Sequence, residues 1–475
     1  MHETCLIGGR WVGARDGATI PVVCPSDGQV FTHLAAGGPA EIDAAVGAAW
    51  AAFEGPWGRM PAVERGRILS RVARLIEDNH EELARIEARD TGKPLTQARA
   101  DITAAARYFE FYGGAADKVQ GHTIPFLPGY SVMTVHEPHG VTAHIIPWNY
   151  PCQMFGRTVG GALAMGNAVV LKPAEEACLG PLRLAELCLE AGLPAGALNI
   201  VTGTGESAGA ALAAHPGIRF LSFTGSPEVG TLVQAAAARN HVGCTLELGG
   251  KSPQILFRDA DLEAALPVLT AAIVQNGGQT CSAGARALIQ RDIYDEVVER
   301  LADRFRGLTA APHDADADLG ALISARQKAR VERYIAQARP PLIARGRVAE
   351  NAPASGFYVA PALYGPVPED DPLAQEEVFG PVLSCMPFGD EADAVRIANG
   401  TPYGLVAGIW TRDGGRQMRM ARAVRAGQVF INGYGAGGGI ELPFGGTGRS
   451  GHGREKGFEP LRDFAQLKTI VVKHG

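Results

Sequence analysis

From Gly140 onward, strands of the fully buried type alternate with helical segments, and this alternation constrains the fold more than any other feature. VTAHIIP reads as a strand, residues 155–165 as a small-residue helix, AVVLKP as a strand, and the stretch around 180–191 as a helix. ALNIVTG and IRFLSFTG extend the series, the latter feeding a helix that opens at Pro227. Strands that are apolar on both faces belong to a parallel sheet covered on both sides and built from βαβ units. A second series begins near residue 250 with SPQILF, the helix DLEAALPVLTAAIVQ, the strand ALIQ and the helix YDEVVERLADRFRGL. PVLSCMPF, GLVAGIW and GQVFING add strands further on. Two α/β units of similar size in one chain imply a cleft between them, a common place for a ligand.

The rest of the chain frames these units. LIGGRWV, ATIPVVCP and QVFTHLAA are short extended pieces. Glu41 to Phe53, Ala62 to Ala88 and about Ala98 to Tyr112 have helical spacing, and residues 122–140 read as strand and turn. With 475 residues, 46% hydrophobic and 20% charged, the chain can bury a sizeable core, so dominant disorder is excluded. Glycine is in excess, 61 of 475 against a usual level of about 7%. The 44 basic and 50 acidic residues leave a net charge of −6 without a long basic stretch, so nucleic acid is not an expected partner. MHETCLIGGRWV does not read as a signal peptide, and apolar runs such as AVVL and FGPVL are too short to span a membrane. Eight cysteines without a CxxC pair argue for free thiols in a reducing, cytoplasmic setting, and no HExxH or similar metal-ligand spacing occurs.

Several segments have the makings of chemistry. Cys281, in NGGQTCSAG, follows a long helix and lies among small polar residues. Gly277 and Gly278 leave its backbone accessible, and its thiolate could attack a carbonyl. The alternative is a buried structural cysteine. Glu247, in TLELGGKSP, is flanked by leucines, so burial should raise its pKa toward the range of a general base. The alternative there is a salt bridge to Lys251. In FLSFTGSPEVG, Ser226 suits an N-cap and Pro227 the first helical position. Gly225 lets the backbone approach a phosphate on the helix N-terminus. In IIPWNYP, the amide of Asn149 could donate to a developing oxyanion, and in KPAEE, Lys172 and Glu175 stand where phosphate and ribose hydroxyls can be met. GESAG at 205–209 matches the nucleophile-elbow pattern around Ser207, a cheap match in so glycine-rich a chain.

Taken together, PWNYP (147–151), KPAE (172–175), FTGS (223–226), ELGGK (247–251), GQTCSAG (278–284), QEEVFGPV (375–382) and LPFGGTGRSGHGREKG (442–457) resemble the aldehyde dehydrogenase superfamily along essentially the whole chain. The resemblance implies a two-domain α/β fold with parallel-rich sheets and a small β oligomerisation element. Residues 1–120 and 140–248 would form the Rossmann-like NAD-binding domain and 249–450 the catalytic domain. The oligomerisation element would be 121–139 with 460–475. It also implies NAD-dependent, non-acylating oxidation of an aldehyde to the acid, through a thiohemiacetal and a thioester hydrolysed by water. Cys281 would be the nucleophile, Glu247 the base and Asn149 the oxyanion donor. Pro147, Trp148, Lys172, Glu175, Gly225, Ser226, Leu248, Glu377 and Phe379 would contact the cofactor, with Glu175 favouring NAD over NADP.

The same resemblance puts Met154, Phe155, Arg157, Thr280, Ser282 and Tyr434 at the substrate pocket, together with the late loop from Tyr434 to Ile440. Arg157 matches an arginine that semialdehyde-oxidising members use for a carboxylate; the alternative is an arginine paired with an acidic side chain. A late loop poor in side chains suits a bulky, aromatic or medium-chain aldehyde instead. A homodimer or homotetramer is implied. Other readings of the chain are an NAD-independent thioesterase or esterase using the same cysteine, and a catalytically silent structural member of the fold.

Overall fold

A computed structural model describes residues 2–435 and 439–475. Of the late loop Tyr434–Ile440, residues 436–438 therefore lie outside the described residues. The first sheet has eight strands. Its centre runs Leu198–Ile200, Ala168–Lys172, Val141–Ile145, Phe220–Thr224 and Gly243–Glu247, all parallel. Antiparallel strands close both edges, Cys5–Ile7 followed by Arg10–Val12 on one side and Gly451–His452 on the other. The parallel strands 141–145, 168–172 and 198–200 are buried at every residue. That is why they read as largely apolar runs, interrupted only by Thr142, His144, Asn199 and the terminal Lys172.

The second sheet has seven strands, with Val382–Phe388, Arg286–Gln290, Pro253–Leu256, Val406–Trp410 and Gln428–Ile431 parallel at its centre and far edge. Alternate residues feed opposite layers: Ile255, Leu288 and Ile409 pack on one face, and Leu256, Ile289 and Trp410 on the other. A third, three-stranded sheet pairs Ala465–Lys473 with Tyr130–Pro138 over nine residues, and adds Thr123–Ile124. The α/β architecture with parallel-rich sheets and a small β element is the one expected. The return strand Gly451–His452 and the packing of Ile440 and Leu461 into the first core add C-terminal residues to the first unit. No helix among the described residues is long and apolar enough to cross a membrane.

Two expected helices differ in extent. The stretch read as one helix over Ala62 to Ala88 is two, Ala62–Asp78 and His80–Thr91, broken at Asn79 (φ −105°, ψ 18°). Apolar periodicity continues across the break, which hides it in the sequence. The helix expected over 155–165 begins at Pro151 and ends at Ala164. Proline at the first helical position costs no hydrogen bond, so the PWNYP turn runs directly into the helix. That places Met154 and Arg157 three residues apart on one face, turned away from Phe155.

Candidate active site

Four neighbouring strands of the first sheet end on the same edge, and the chemistry-bearing segments lie at or just beyond those ends. Pro147 to Asn149 come after Val141–Ile145, Lys172 and Glu175 lie at the end of Ala168–Lys172, Gly225 and Ser226 come after Phe220–Thr224, and Leu248 to Gly250 come after Gly243–Glu247. The carboxyl edge of a parallel sheet is where open α/β folds bind ligands. Ser226 caps the helix Pro227–Ala238, its hydroxyl accepting the Val229 N–H, and remains exposed. Lys172 donates to Glu175 at 2.6 Å. Gly230 makes room for Leu248, since a Cβ there would lie 2.6 Å from a Leu248 methyl.

The thiol approaches this edge from the second unit. After the helix Leu262–Val274, Asn276, Gly277 and Gly278 adopt φ of 52°, 62° and 75° in succession. This left-handed run, which favours glycine, turns the chain back toward the first sheet. A Cβ on Gly278 would stand 2.2 Å from Gly380 backbone, so the turn is pressed against the segment bearing Glu377 and Phe379. Asn149 ties the two units together. Its Nδ2 donates to the Gln279 carbonyl at 2.9 Å, and its own carbonyl accepts from Asn276 Nδ2 at 2.8 Å. One amide N–H of Asn149 is thereby left for another acceptor.

Cys281 is half-buried, and burial pushes its thiol up to about 12, with Glu247 and Glu377 adding to the rise and Arg157 opposing it. Glu247 is 1% exposed, and neither carboxylate oxygen has a hydrogen-bond partner among the described residues. Burial holds its pKa well above the carboxylate range, against the attraction of Arg157. Arg157 comes within 3.6 Å of Glu247 but makes its shortest ion-pair contact, 2.5 Å, with Glu455. The expected alternative partner of Glu247, Lys251, does not take part; its buried ammonium has no hydrogen-bond partner among the described residues, and burial pushes it down to about 7.

Glu377, half-buried, accepts the Gly250 N–H at 2.8 Å, and desolvation pushes it up to about 7. A Cβ on Gly249 would lie 2.3 Å from its carboxylate, so this cradle needs glycine. Phe379 (φ 59°) meets Trp148 edge to face at 5.4 Å. An exposed helix N-terminus, the Lys172–Glu175 pair and the Glu377 cradle along one sheet edge fit the phosphates and hydroxyls of a dinucleotide.

The expected pocket residues divide. Thr280 shares a hydrogen bond with the Tyr150 hydroxyl at 2.7 Å, and Tyr434 donates to the Ser282 carbonyl at 2.6 Å, so three of them frame the thiol. Met154 lies beside Arg157, with Nη1 3.7 Å from its sulfur. Phe155 does not line the cleft. It is fully buried against Phe109, because the earlier helix start turns it to the core. Arg157 is 4% exposed and engaged by two carboxylates, which is the paired arrangement and not an open carboxylate receptor. Ser207 sits exposed in a single π-helical turn, its N–H donating to Thr204.

Two groups at the site are not singled out by the sequence. Lys93, fully buried, donates to Glu87 (2.8 Å), Asp101 (2.5 Å) and the Asn149 carbonyl (2.9 Å), so it fixes the PWNYP turn from beneath. Its only signal is a lysine after a helix-ending glycine, which reads as solvated. Glu455 lies inside the GREKG string without any local hint that it meets Arg157.

A family model described as "Aldehyde dehydrogenase family" matches residues 11–470. The mitochondrial benzaldehyde dehydrogenase of Antirrhinum majus is 42% identical over 476 residues, covering 99% of this chain and 89% of that protein. A crystal structure of a putative aldehyde dehydrogenase from Burkholderia cenocepacia superposes with a TM-score of 0.99 at 65% identity, covering 99% of this chain and all of that one. The NAD+ complex of an aldehyde dehydrogenase from Bacillus cereus superposes with a TM-score of 0.97 at 38% identity, covering 100% and 97% of the two chains.

Proposed function

Because the chain belongs to the aldehyde dehydrogenase family and oxidises an aldehyde with NAD as the acceptor, we propose that Cys281, Glu247 and Asn149 carry the chemical steps. The observation that carries this reading is Glu247: a buried carboxyl with neither oxygen hydrogen-bonded among the described residues, close enough to Cys281 to act on a thiol that burial keeps protonated. Cys281 Sγ attacks the carbonyl carbon, and its proton is lost to solvent. The new oxyanion takes the free N–H of Asn149 Nδ2, where charge appears only during reaction. The residues along the first sheet edge would hold NAD, which would supply the hydride acceptor. Re-formation of the carbonyl leaves a thioester on Cys281. Glu247 then takes a proton from the attacking water and returns it to the departing sulfur, so the thiol is regenerated as the acid leaves.

Cofactor contacts are assigned to Pro147, Trp148, Lys172, Glu175, Gly225, Ser226, Leu248, Glu377 and Phe379. The Glu175 carboxylate would repel a 2′-phosphate, which favours NAD over NADP. For substrate, an uncharged bulky or aromatic aldehyde suits the pocket better than a semialdehyde, since Glu455 already engages Arg157. The relative that acts on benzaldehyde agrees with that preference. Esterase activity belongs to the same thiol as a side reaction. We assign residues 1–120 and 140–248 with the C-terminal return to cofactor binding, and 249–450 to catalysis. Exposed Phe126, Leu127, Leu467 and Val471 on and beside the three-stranded sheet support its assignment as a dimer or tetramer interface in a cytoplasmic enzyme. The test is NADH formation with benzaldehyde and with succinate semialdehyde, each with NAD and NADP. Benzaldehyde with NAD should give the highest kcat/KM, and a preference for the semialdehyde would overturn the substrate assignment.

A further inference from the structure

Behind Arg157 lies a row of buried polar side chains that the reaction as described leaves without a purpose. Thr142 and His144 point to one face of the strand Val141–Ile145, being two residues apart, and Ser222 stands opposite His144 in the neighbouring strand. Thr158 reaches this face from the covering helix, one residue beyond Arg157. The contacts run Thr142 Oγ1 to His144 Nε2 (2.8 Å), His144 Nδ1 to Thr158 Oγ1 (2.5 Å), Thr158 Oγ1 to Ser222 Oγ (3.1 Å) and Ser222 Oγ to Glu455 Oε1 (2.7 Å). All five residues are at most 3% exposed.

The direction of this row is determined. The Glu455 carboxylate, paired with Arg157, only accepts, so Ser222 donates to it. Ser222 has then used its one proton and accepts from Thr158, which in turn accepts from His144 Nδ1–H. Burial pushes His144 down to about 3, so its ring is neutral and Nε2 accepts from Thr142. Every donor points toward Glu455. On the far side, Arg157 Nε lies 2.5 Å from Glu455 Oε2 without an aligned hydrogen bond, and Arg157 Nη2 stands 3.6 Å from Glu247. The position of the guanidinium between two carboxylates therefore depends on how firmly Glu455 is held.

We propose that Thr142, His144, Thr158 and Ser222 form a one-way hydrogen-bond chain of positioning residues. It fixes Glu455 as the partner of Arg157 and thereby keeps Arg157 from capturing Glu247. The proposal rests on the assignment of Glu247 as the base. The other charged or titratable groups facing this cluster are Arg454, Lys456, Cys281, Tyr108 and Tyr112. Without its terminal donor, Glu455 holds Arg157 less firmly, and the guanidinium moves toward Glu247. A base held ionised by a closer cation is a weaker base.

The test is the pH profile of kcat for NADH formation in Ser222→Ala, Thr158→Val and Thr158→Ser, with Glu247→Gln alongside. Ser222→Ala and Thr158→Val should move the acid limb down by at least about half a pH unit and lower the plateau at least ~5-fold. Thr158→Ser, which keeps the hydroxyl, should restore both. Wild-type limbs and plateaus in Ser222→Ala and Thr158→Val would overturn the chain, even if both melt at lower temperature. If in that case Glu247→Gln still loses turnover, only the chain fails; wild-type turnover in Glu247→Gln removes the base and the chain together.

Discussion

A Cβ placed on Gly250 would sit 2.5 Å from the carbonyl oxygen of Cys281. The ELGG segment that bears the base thus runs directly beneath the nucleophile, with no space between the two backbones. Gly250→Ala must displace one of them. A misplacement of about 1 Å at the reacting atoms can cost ~100-fold in rate. A loss of about that size in kcat/KM for aldehyde oxidation is expected, with the cofactor dissociation constant changed far less.

Lys93 neutralises two buried carboxylates, Glu87 and Asp101, and also holds the Asn149 carbonyl. Lys93→Met leaves both acids without a counter-charge. Breaking a buried pair from one side costs about 3–5 kcal/mol. Chemical denaturation should show a loss of that order, and any folded fraction should have a reduced kcat because the Asn149 turn is no longer tied down.

Glu247 is expected to link stability to pH. Its folded pKa lies well above the ordinary value of 4.5, so above pH 4.5 the folded chain keeps a proton that the unfolded chain has released. Stability from this group is therefore greatest below that pH and falls as pH rises toward the folded value. Glu247→Gln does not titrate. Its melting temperature relative to wild type should be higher at pH 8 than at pH 5, and an unchanged difference would place Glu247 in an ordinary solvated setting.

The Lys172–Glu175 pair predicts cofactor choice. Glu175→Ser removes the carboxylate that opposes a 2′-phosphate and releases Lys172 toward it. The ratio of kcat/KM for NADP to that for NAD should rise at least about tenfold, which is about 1.4 kcal/mol of discrimination.

The features legible in the sequence are local. The Ser226–Pro227 helix start and the mostly apolar parallel strands each show their physics within a few residues, and each stands where expected, whereas Gly277 and Gly278, read as leaving the backbone accessible, are buried in a left-handed turn. The illegible features depend on partners far apart in the chain. Ser222 and Glu455 are 233 residues apart, and nothing near either predicts their 2.7 Å contact. Arg157 admits two readings because an arginine on a helix does not announce its counter-ion. Phe155 departs from expectation for a smaller reason: starting the helix at Pro151 and not at 155 changes which side chains share a face. The break at Asn79 is invisible because the apolar stripe continues on both sides of it.

The central claim, that Cys281 carries the acyl group and Glu247 promotes its release, is tested most directly by intact-protein and peptide mass spectrometry of Glu247→Gln incubated with NAD and benzaldehyde. The account predicts one acyl group per chain, heavier by the aldehyde less two hydrogens and located on Cys281, accompanied by one equivalent of NADH without further turnover. Sustained turnover with Cys281 unmodified, or an acyl group on any other residue, would contradict it.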